Sequence, residues 1–291
     1  MQLVFHTGAH FTEEDRLIKC LLRNKDAFHE EGIAVPGPGR YRKLLRDTVV
    51  AMENAPVAPD AREVLFDAIL EGGQPDRVLL SLPHFFGAPR AALRRGQLYP
   101  NGADRMAQTA RLFNVDEVTL CMGVRNPATF LPLAFSASPR ETAEHFTDGV
   151  DPRGIRWSDT FLRIREAAPE IPVVVWCNED APLVWSQVVR EMAGLDHGAA
   201  VTGGFDLLED IMQPDGVTRF NDYLSKHPDM TEIQIRRVMV AFLDKYARDE
   251  AIEETLDMPG WTHDLVDELT ELYDEDMLEI ARIPGVEVIS P

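Results

Sequence analysis

Short runs of consecutive apolar residues alternate along the chain with longer stretches of helical periodicity. The strongest runs are residues 78–82, 118–124 and 173–176, and a shorter run, residues 3–5, lies near the N-terminus. Continuous apolar runs of this length are typical of strands that are buried on both faces of a parallel sheet. Because helical stretches separate them, the pattern predicts βαβ crossovers and an α/β fold with a mainly parallel sheet and flanking helices.

The helical pattern predicts a first helix over residues 12–31, with Thr12 as its N-cap and Gly32 directly after its end. Ser158 is expected to cap a helix over residues 157–168. Further helices are expected at residues 41–55, 59–71, 104–113, 182–192, from 231 onward, and 261–280. Short extended pieces are expected at residues 33–36 and 286–289.

The best boundary candidate is the glycine-rich stretch at residues 198–204, after which the pattern becomes helical. We expect residues 1–197 to form an α/β core and residues 198–291 to form an acidic, helical C-terminal part packed on that core. A chain of 291 residues can form two domains. It shows no internal repeat and no low-complexity linker, so one structural domain is the prediction.

Charge is distributed unevenly along the chain. Residues 1–111 carry 15 Lys and Arg against 14 Asp and Glu, whereas the rest carry 14 against 35, and the net charge is −20. Non-specific binding to nucleic acid depends on basic side chains that neutralise phosphates, so no nucleic-acid partner is expected. An anionic membrane surface is disfavoured for the same reason. The acidic C-terminal region is interpreted as a solubilising surface, with contact to a basic partner as the alternative.

The three cysteines, Cys20, Cys121 and Cys177, lie in apolar stretches and are odd in number. This pattern argues against a disulfide scaffold and favours the cytoplasm as the location of the protein. No apolar run approaches the roughly 18 residues that a membrane-spanning helix needs. The N-terminus shows no signal peptide.

The segment after the first predicted strand has the sequence HTGAHFT at residues 6–12 and runs into a helix. In doubly wound folds this is the position of a phosphate-binding loop, where backbone N–H groups and the helix dipole hold an anion. A second motif is MGVRNP at residues 122–127, at the end of a predicted strand. Two weaker motifs are residues 78–81 with 97–100 downstream, and residues 173–179 followed by Pro182.

In their order and spacing these motifs resemble the bacterial sulfotransferase family, which shares the P-loop nucleotide fold. The resemblance spans most of residues 1–195. It implies a co-substrate, adenosine 3′-phosphate 5′-phosphosulfate, whose sulfuryl group passes to a hydroxyl or amine of a small-molecule or glycan-like acceptor. The implied general base is His84, and the implied donor-binding residues are Gly8, Ala9, His10, Thr12, Arg125 and Ser136.

The loop departs from the family's pattern at the positions that bind the donor. The family's loop lysine falls on Phe11, and its Gly-Thr-Thr falls on residues 13–15, which are all acidic here. The serine expected eight residues after Arg125 falls on Leu133, although Ser136 is near in sequence. A phosphate would therefore meet carboxylates where the family has a cation, which makes the usual donor pose unfavourable.

Two other functions remain open. A catalytically inactive binding or interaction module would have its crevice filled by aromatic side chains such as Phe11 or Phe130, or by Phe85 or Phe86. An enzyme for a different ligand would bring His6, His10 and His84 together in one pocket.

Basic side chains that fold over the loop would favour sulfuryl transfer, and the candidates are Arg40, Arg42 and Lys43. The histidines near the loop, with Glu13 or Asp15, have no spacing that is typical of a metal site. No metal is therefore predicted.

Overall fold

The computed structural model describes residues 1–13, 15–53, 55–70, 73–140, 142–252, 254, 256 and 258–291. Within these residues the strands are β1 (Gln2–His6), β2 (Ile33–Ala34), β3 (Arg77–Ser81), β4 (Leu93–Arg94), β5 (Gln97–Leu98), β6 (Glu117–Val124), β7 (Val173–Cys177) and β8 (Val286–Ile289).

The helices that cover these strands run through the whole described part of the chain. They are α1 (Arg16–Arg23), α2 (Lys25–Glu30), α3 (Pro38–Ala51), α4 (Ala61–Leu70), α5 (Gly102–Leu112), α6 (Pro127–Ser136), α7 (Ala143–Thr147), α8 (Trp157–Ala167), α9 (Ala181–Ala193), α10 (Asp206–Asp210), α11 (Pro214–Lys226), α12 (Glu232–Tyr246), α13 (Asp249–Ile252) and α14 (His263–Ile280).

Six of the strands form one sheet in the order β2-β3-β1-β6-β7-β8, and every neighbouring pair is parallel. The α/β fold with a mainly parallel sheet is therefore confirmed. Strands β4 and β5 form a separate antiparallel hairpin. The sequence pattern did not predict this hairpin, because each of its strands has only two residues.

Both faces of the sheet are covered by helices, as the continuous apolar runs predict. Along β1, Leu3 and Phe5 pack into the core on one face, whereas Val4 packs into the core on the other face. A third, smaller core joins α10, α11 and α12 around Phe220 and Met239.

The connections after β1 and β6 run in opposite directions across the sheet. The chain leaves β1 toward β2 on one side, and it leaves β6 toward β7 on the other side. In open parallel sheets this reversal creates a crevice beyond the carboxyl ends of the strands, which is where ligands bind. The loop after His6 and the turn at Arg125 both lie at this edge.

The single helix expected over residues 12–31 is wrong in two respects. Helix α1 begins at Arg16 with Asp15 at its N-cap, whereas the Thr12 hydroxyl donates to the Ala9 carbonyl oxygen at 2.8 Å. The helical run is then interrupted at Asn24, whose side-chain amide donates to the carbonyls of Cys20 and Thr202 at 2.8 and 2.9 Å. These bonds compete with continued helix and tie α1 to the segment before α10.

The N-terminus of α8 is also capped differently from the prediction. Ser158 is the second residue of α8 and does not cap it. The carboxylate of Asp276, on α14, instead accepts from the backbone N–H of Trp157 at 2.7 Å and of Ser158 at 3.3 Å. A distant side chain therefore satisfies helix donors that the local sequence leaves open.

The C-terminal part contributes a strand as well as helices. Strand β8 pairs in parallel with β7 and completes one edge of the sheet. The division at residues 197 and 198 stays a prediction. Within the described residues, no helix combines the length and apolar character that crossing a membrane requires.

Candidate functional site

The loop after β1 is tied to β6 by its own backbone. The Ala9 N–H donates to the Gly123 carbonyl at 2.6 Å, and the Gly123 N–H donates to the Gly8 carbonyl at 2.8 Å. The His10 N–H donates to the Tyr99 hydroxyl at 2.8 Å. Two of the N–H groups expected to approach an anion, those of Ala9 and His10, therefore already have protein acceptors.

A buried carboxylate turns into the same loop. Oε1 of Glu13 lies 2.7 Å from Nε2 of His6, and their side chains are 1% and 0% exposed. Nδ1 of His6 lies 3.1 Å from the Ser81 hydroxyl, which is also buried. Glu13 therefore does not extend into solvent at the helix start, as an acid that only complements the helix dipole would. Glu14, the second of the three acidic residues at positions 13–15, lies outside the described residues.

The glycine at residue 123 makes room for this buried arrangement. A Cβ placed on Gly123 would lie 2.8 Å from Nε1 of Trp176 and 3.4 Å from Oε2 of Glu13. The His6 and Trp176 rings stack with centroids 5.9 Å apart. The carboxylate thus occupies space between β1, β6 and β7, behind the loop.

A hydrogen-bonded chain leads from the core to the surface on the other side of the loop. The buried Tyr99 hydroxyl lies 2.7 Å from Nδ1 of His10, and Nε2 of His10 lies 3.0 Å from Nδ1 of His84. Burial lowers the pKa of His10 to about 4, with a further contribution from His84. Burial, followed by the charge of Arg42, lowers the pKa of the more exposed His84.

The Tyr99 oxygen accepts from the His10 backbone N–H and also contacts Nδ1 of His10. A general base needs a free lone pair facing its substrate. Nδ1 of His84 faces His10, so Nε2 is the ring nitrogen of His84 that is left to face a substrate.

Arg42 is the cation that lies over the loop. Its Nε donates to the Ser81 carbonyl at 2.8 Å, and its Nη2 donates to Oδ1 of Asp15 at 2.8 Å. Arg42 is one of the basic residues that the sequence marks as candidates to fold over this loop. Asp15 balances its charge, so the pair adds no net positive charge at the loop.

Arg125 lies at the end of β6 as expected, but protein groups occupy its donors. The guanidinium contacts the Phe11 carbonyl and the Glu254 carboxylate, and its Nε donates to the Thr129 hydroxyl at 2.9 Å. The residue is only 7% exposed. An anion at Arg125 would have to replace Glu254.

Ser136 does not lie beside Arg125. It is the last residue of α6, exposed, and its hydroxyl donates to the Pro132 carbonyl at 3.1 Å. Nine residues of helix separate it from Pro127, which corresponds to about 14 Å at the helical rise. The sequence pattern had no local signal for this distance.

Aromatic side chains fill the space next to the loop. The Phe11 ring packs against Phe130 with centroids 5.8 Å apart. Phe130 is fully buried and also packs against Trp157, while Phe85 and Phe86 are each 1% exposed. This is the arrangement expected of a filled crevice.

Glu179 is a further polar group at this edge of the sheet. Its Oε1 accepts from the Asn126 N–H at 2.9 Å, and its Oε2 accepts from the Tyr273 hydroxyl at 3.2 Å. Desolvation of the carboxyl group raises the pKa of Glu179. The residue therefore links β7, α6 and α14 at the point where the crevice ends.

The histidines do not form one cluster. His10 contacts His84, whereas His6 contacts Glu13 and Ser81. In the described part of the chain, no three His, Cys, Asp or Glu side chains are grouped so that they could hold a metal ion. Five clefts of the described residues lie elsewhere, and none is lined by residues 6–13, His84 or Arg125.

The comparison with protein-family models and the comparison with curated proteins give no match. Among solved structures, the chain is similar to a sulfotransferase from Alicyclobacillus acidocaldarius. The two are 15% identical, the alignment covers 89% of this chain and 97% of that one, and the TM-score is 0.36. A similarity of this size does not place individual side chains.

Proposed function

We propose that this chain is a sulfotransferase-like protein whose donor loop is closed by its own side chains, and that it acts as a binding or interaction module. The observation that carries the proposal is the Glu13 carboxylate, which is buried inside the loop against His6. A phosphate or sulfate bound at the loop would lie close to this carboxylate. At about 5 Å and an effective dielectric of about 20, such a like-charge pair costs on the order of 3 kcal/mol before screening.

The second support for the proposal is that protein groups already pair with Arg125. Catalysis of sulfuryl transfer depends on preorganised cations and N–H donors around the transferred group. Here Glu254 pairs with the arginine that would hold the 3′-phosphate, and two loop N–H groups are bonded to the protein. Binding the donor would therefore require several protein contacts to break at once.

A binding module of this kind would use its surface instead of the crevice. The acidic C-terminal region, with exposed carboxylates along α14, is the part whose charge suits a basic partner. We propose the cytoplasm as its location, on the support of three unpaired cysteines in the described chain.

The second candidate function is sulfuryl transfer from adenosine 3′-phosphate 5′-phosphosulfate to a hydroxyl or amine acceptor. The position of Arg42 over the loop favours it. Arg125 would then hold the 3′-phosphate, and the backbone of Gly8 to Thr12 would approach the phosphosulfate. His84 would act as general base through Nε2, the ring nitrogen that does not face His10.

Calorimetric binding of adenosine 3′,5′-bisphosphate, the product of such a donor, separates the two functions. The closed loop predicts no binding by the wild type up to about 1 mM. Micromolar binding that Arg125→Ala weakens tenfold or more would overturn the closed loop and support transfer.

Two matched variants separate the effect of the Glu254 carboxylate from a general effect of charge. Glu254→Gln removes the carboxylate that pairs with Arg125, whereas Glu250→Gln removes an exposed carboxylate that pairs with Arg248. If the donor site functions, Glu254→Gln tightens bisphosphate binding and Glu250→Gln does not. If the loop is closed by Glu13, neither variant gains binding.

A further inference from the structure

A cleft of about 530 Å³ lies away from the loop, between α9 and α12. The segment at residues 197–205 forms its third side. This is the glycine-rich stretch that the sequence marks as a boundary between the core and the C-terminal part. Ligand sites occur preferentially where two such parts meet.

The cleft is lined by a buried arginine whose donors are only partly used. Arg190 is 8% exposed, its guanidinium contacts Glu232, and its Nη1 donates weakly to the Ala199 carbonyl at 3.4 Å. Its Nε is buried and has no hydrogen-bond partner. A buried donor without a partner is costly, so this guanidinium favours a further acceptor.

A second arginine lies beside the first. Nη2 of Arg236 donates to the Gln187 amide oxygen at 2.6 Å and lies 3.9 Å from Oε2 of Glu232. Two guanidinium groups thus share one carboxylate. Apart from His197, the charged side chains that line the cleft therefore carry one surplus positive charge.

The rest of the lining is mixed: Ser186, Gln187, His197 and Thr231 are polar, and the larger side chains are apolar. Phe205 and Val201 lie on one side of the cleft, and Ile235 and Met239 lie on α12. Met239 is almost fully buried, and the other three are partly exposed. A ligand that fills the cleft would contact both these apolar side chains and the two guanidinium groups.

We propose that this cleft binds a small organic monoanion, a carboxylate with an apolar body. The carboxylate pairs with the guanidinium groups of Arg236 and Arg190, which present the planar donor geometry that carboxylates match. The apolar body displaces water from the wall formed by Ile235 and its neighbours. A dianion fits less well, because the cleft has one surplus charge and the whole chain carries −20.

This site is independent of the donor loop, because none of its lining residues contributes to the loop. Its test therefore does not depend on whether the loop is open or closed.

The test uses sodium benzoate as the probe, with benzamide as the uncharged probe of the same shape and inorganic phosphate as the compact anion. Binding to the full chain is measured by calorimetry. We expect benzoate to bind with a dissociation constant of about 1 mM or tighter, and at least tenfold more tightly than benzamide or phosphate.

Two arginines that are adjacent on α12 give a matched pair of variants. Arg236→Gln is expected to weaken benzoate binding tenfold or more. Arg237→Gln makes the same charge change one residue away, outside the cleft, and is expected to leave binding within twofold. Ala200→Trp, which adds a ring to the lining, should also abolish binding while the melting temperature shows that the chain stays folded.

Three results would overturn the proposal. The first is no benzoate binding up to about 10 mM. The second is equal loss in the Arg236 and Arg237 variants, which would mean a general charge effect. The third is binding of phosphate that is as tight as that of benzoate.

Discussion

Nε2 of His6, the last residue of β1, lies 2.7 Å from Oε1 of Glu13, and solvent reaches neither side chain. This pair joins the end of a central strand to the segment before α1, inside a loop whose position in the fold is that of an anion site. A buried carboxylate of the chain itself therefore lies directly behind the loop where an anionic ligand is expected.

Glu13→Gln is expected to lower the free energy of unfolding by about 1–3 kcal/mol, because it replaces the buried carboxylate group that contacts Nε2 of His6. Urea unfolding followed by circular dichroism measures the change. Asp15→Asn is the control, since Asp15 is half exposed and pairs with Arg42 at the surface, where such pairs contribute less than about 1 kcal/mol. Equal small effects of both variants would mean that Glu13 does not hold the loop.

Gly123→Ala is expected to destabilise the fold by about 1–3 kcal/mol, the usual cost of overpacking a core. The new methyl group would lie 2.8 Å from the Trp176 indole nitrogen, so the ring or the strand must move. Gly154→Ala provides the control, because a Cβ there meets nothing within 4 Å. Urea unfolding of the two variants side by side gives the comparison, and a neutral Gly123→Ala would show that the space behind the loop is not tightly packed.

The central strands could be predicted from the sequence because each is a continuous apolar run. The runs at 78–82, 118–124 and 173–176 match β3, β6 and β7 to within a residue or two. Helix α6 was not predicted, because Pro127 and Pro132 disrupt the usual helical signal. The pairing of β8 with β7 also has no local signal, since it joins segments more than a hundred residues apart.

The sequence is sufficient to predict where the candidate site lies, but not which contacts its residues make. The loop and Arg125 lie at the edge of the sheet that the strand order predicts. The contacts that occupy these groups come from residues that are distant in the sequence. Tyr99 bonds to His10, and Glu254 pairs with Arg125. By its position Glu13 is an acid at the start of the predicted first helix, and no sequence signal indicates that it turns inward to His6.

The buried His10 predicts a pH dependence of stability. Its pKa in the folded chain is about 4, against 6.5 for the free side chain. Between these values the unfolded chain binds a proton that the folded chain does not, so stability falls as the pH falls from about 6.5 to about 4. The full effect is on the order of 3 kcal/mol.

Urea unfolding at several pH values measures this term, with His10→Gln as the comparison. Acid also reduces the repulsion among the many carboxylates, which works in the opposite direction. The difference between wild type and variant isolates residue 10, and it should shrink as the pH falls from 7 to 4. A difference that stays constant with pH would contradict the neutral, buried state of His10.

Asp276 shows that one acid of the C-terminal region has a structural role. Most carboxylates on α14 are exposed, but Asp276 is 2% exposed, and its carboxylate accepts the first two N–H groups of α8. Asp276→Ala leaves these donors without an acceptor and is expected to cost about 1–2 kcal/mol, as the loss of a helix cap does. Asp276→Asn keeps one acceptor oxygen and should cost less.

Glu275→Ala removes the neighbouring, exposed acid and should change the free energy of unfolding by less than about 0.5 kcal/mol. If the two alanine variants behave alike in urea unfolding, α14 does not cap α8, and the C-terminal region contributes to the core through apolar packing and β8 alone.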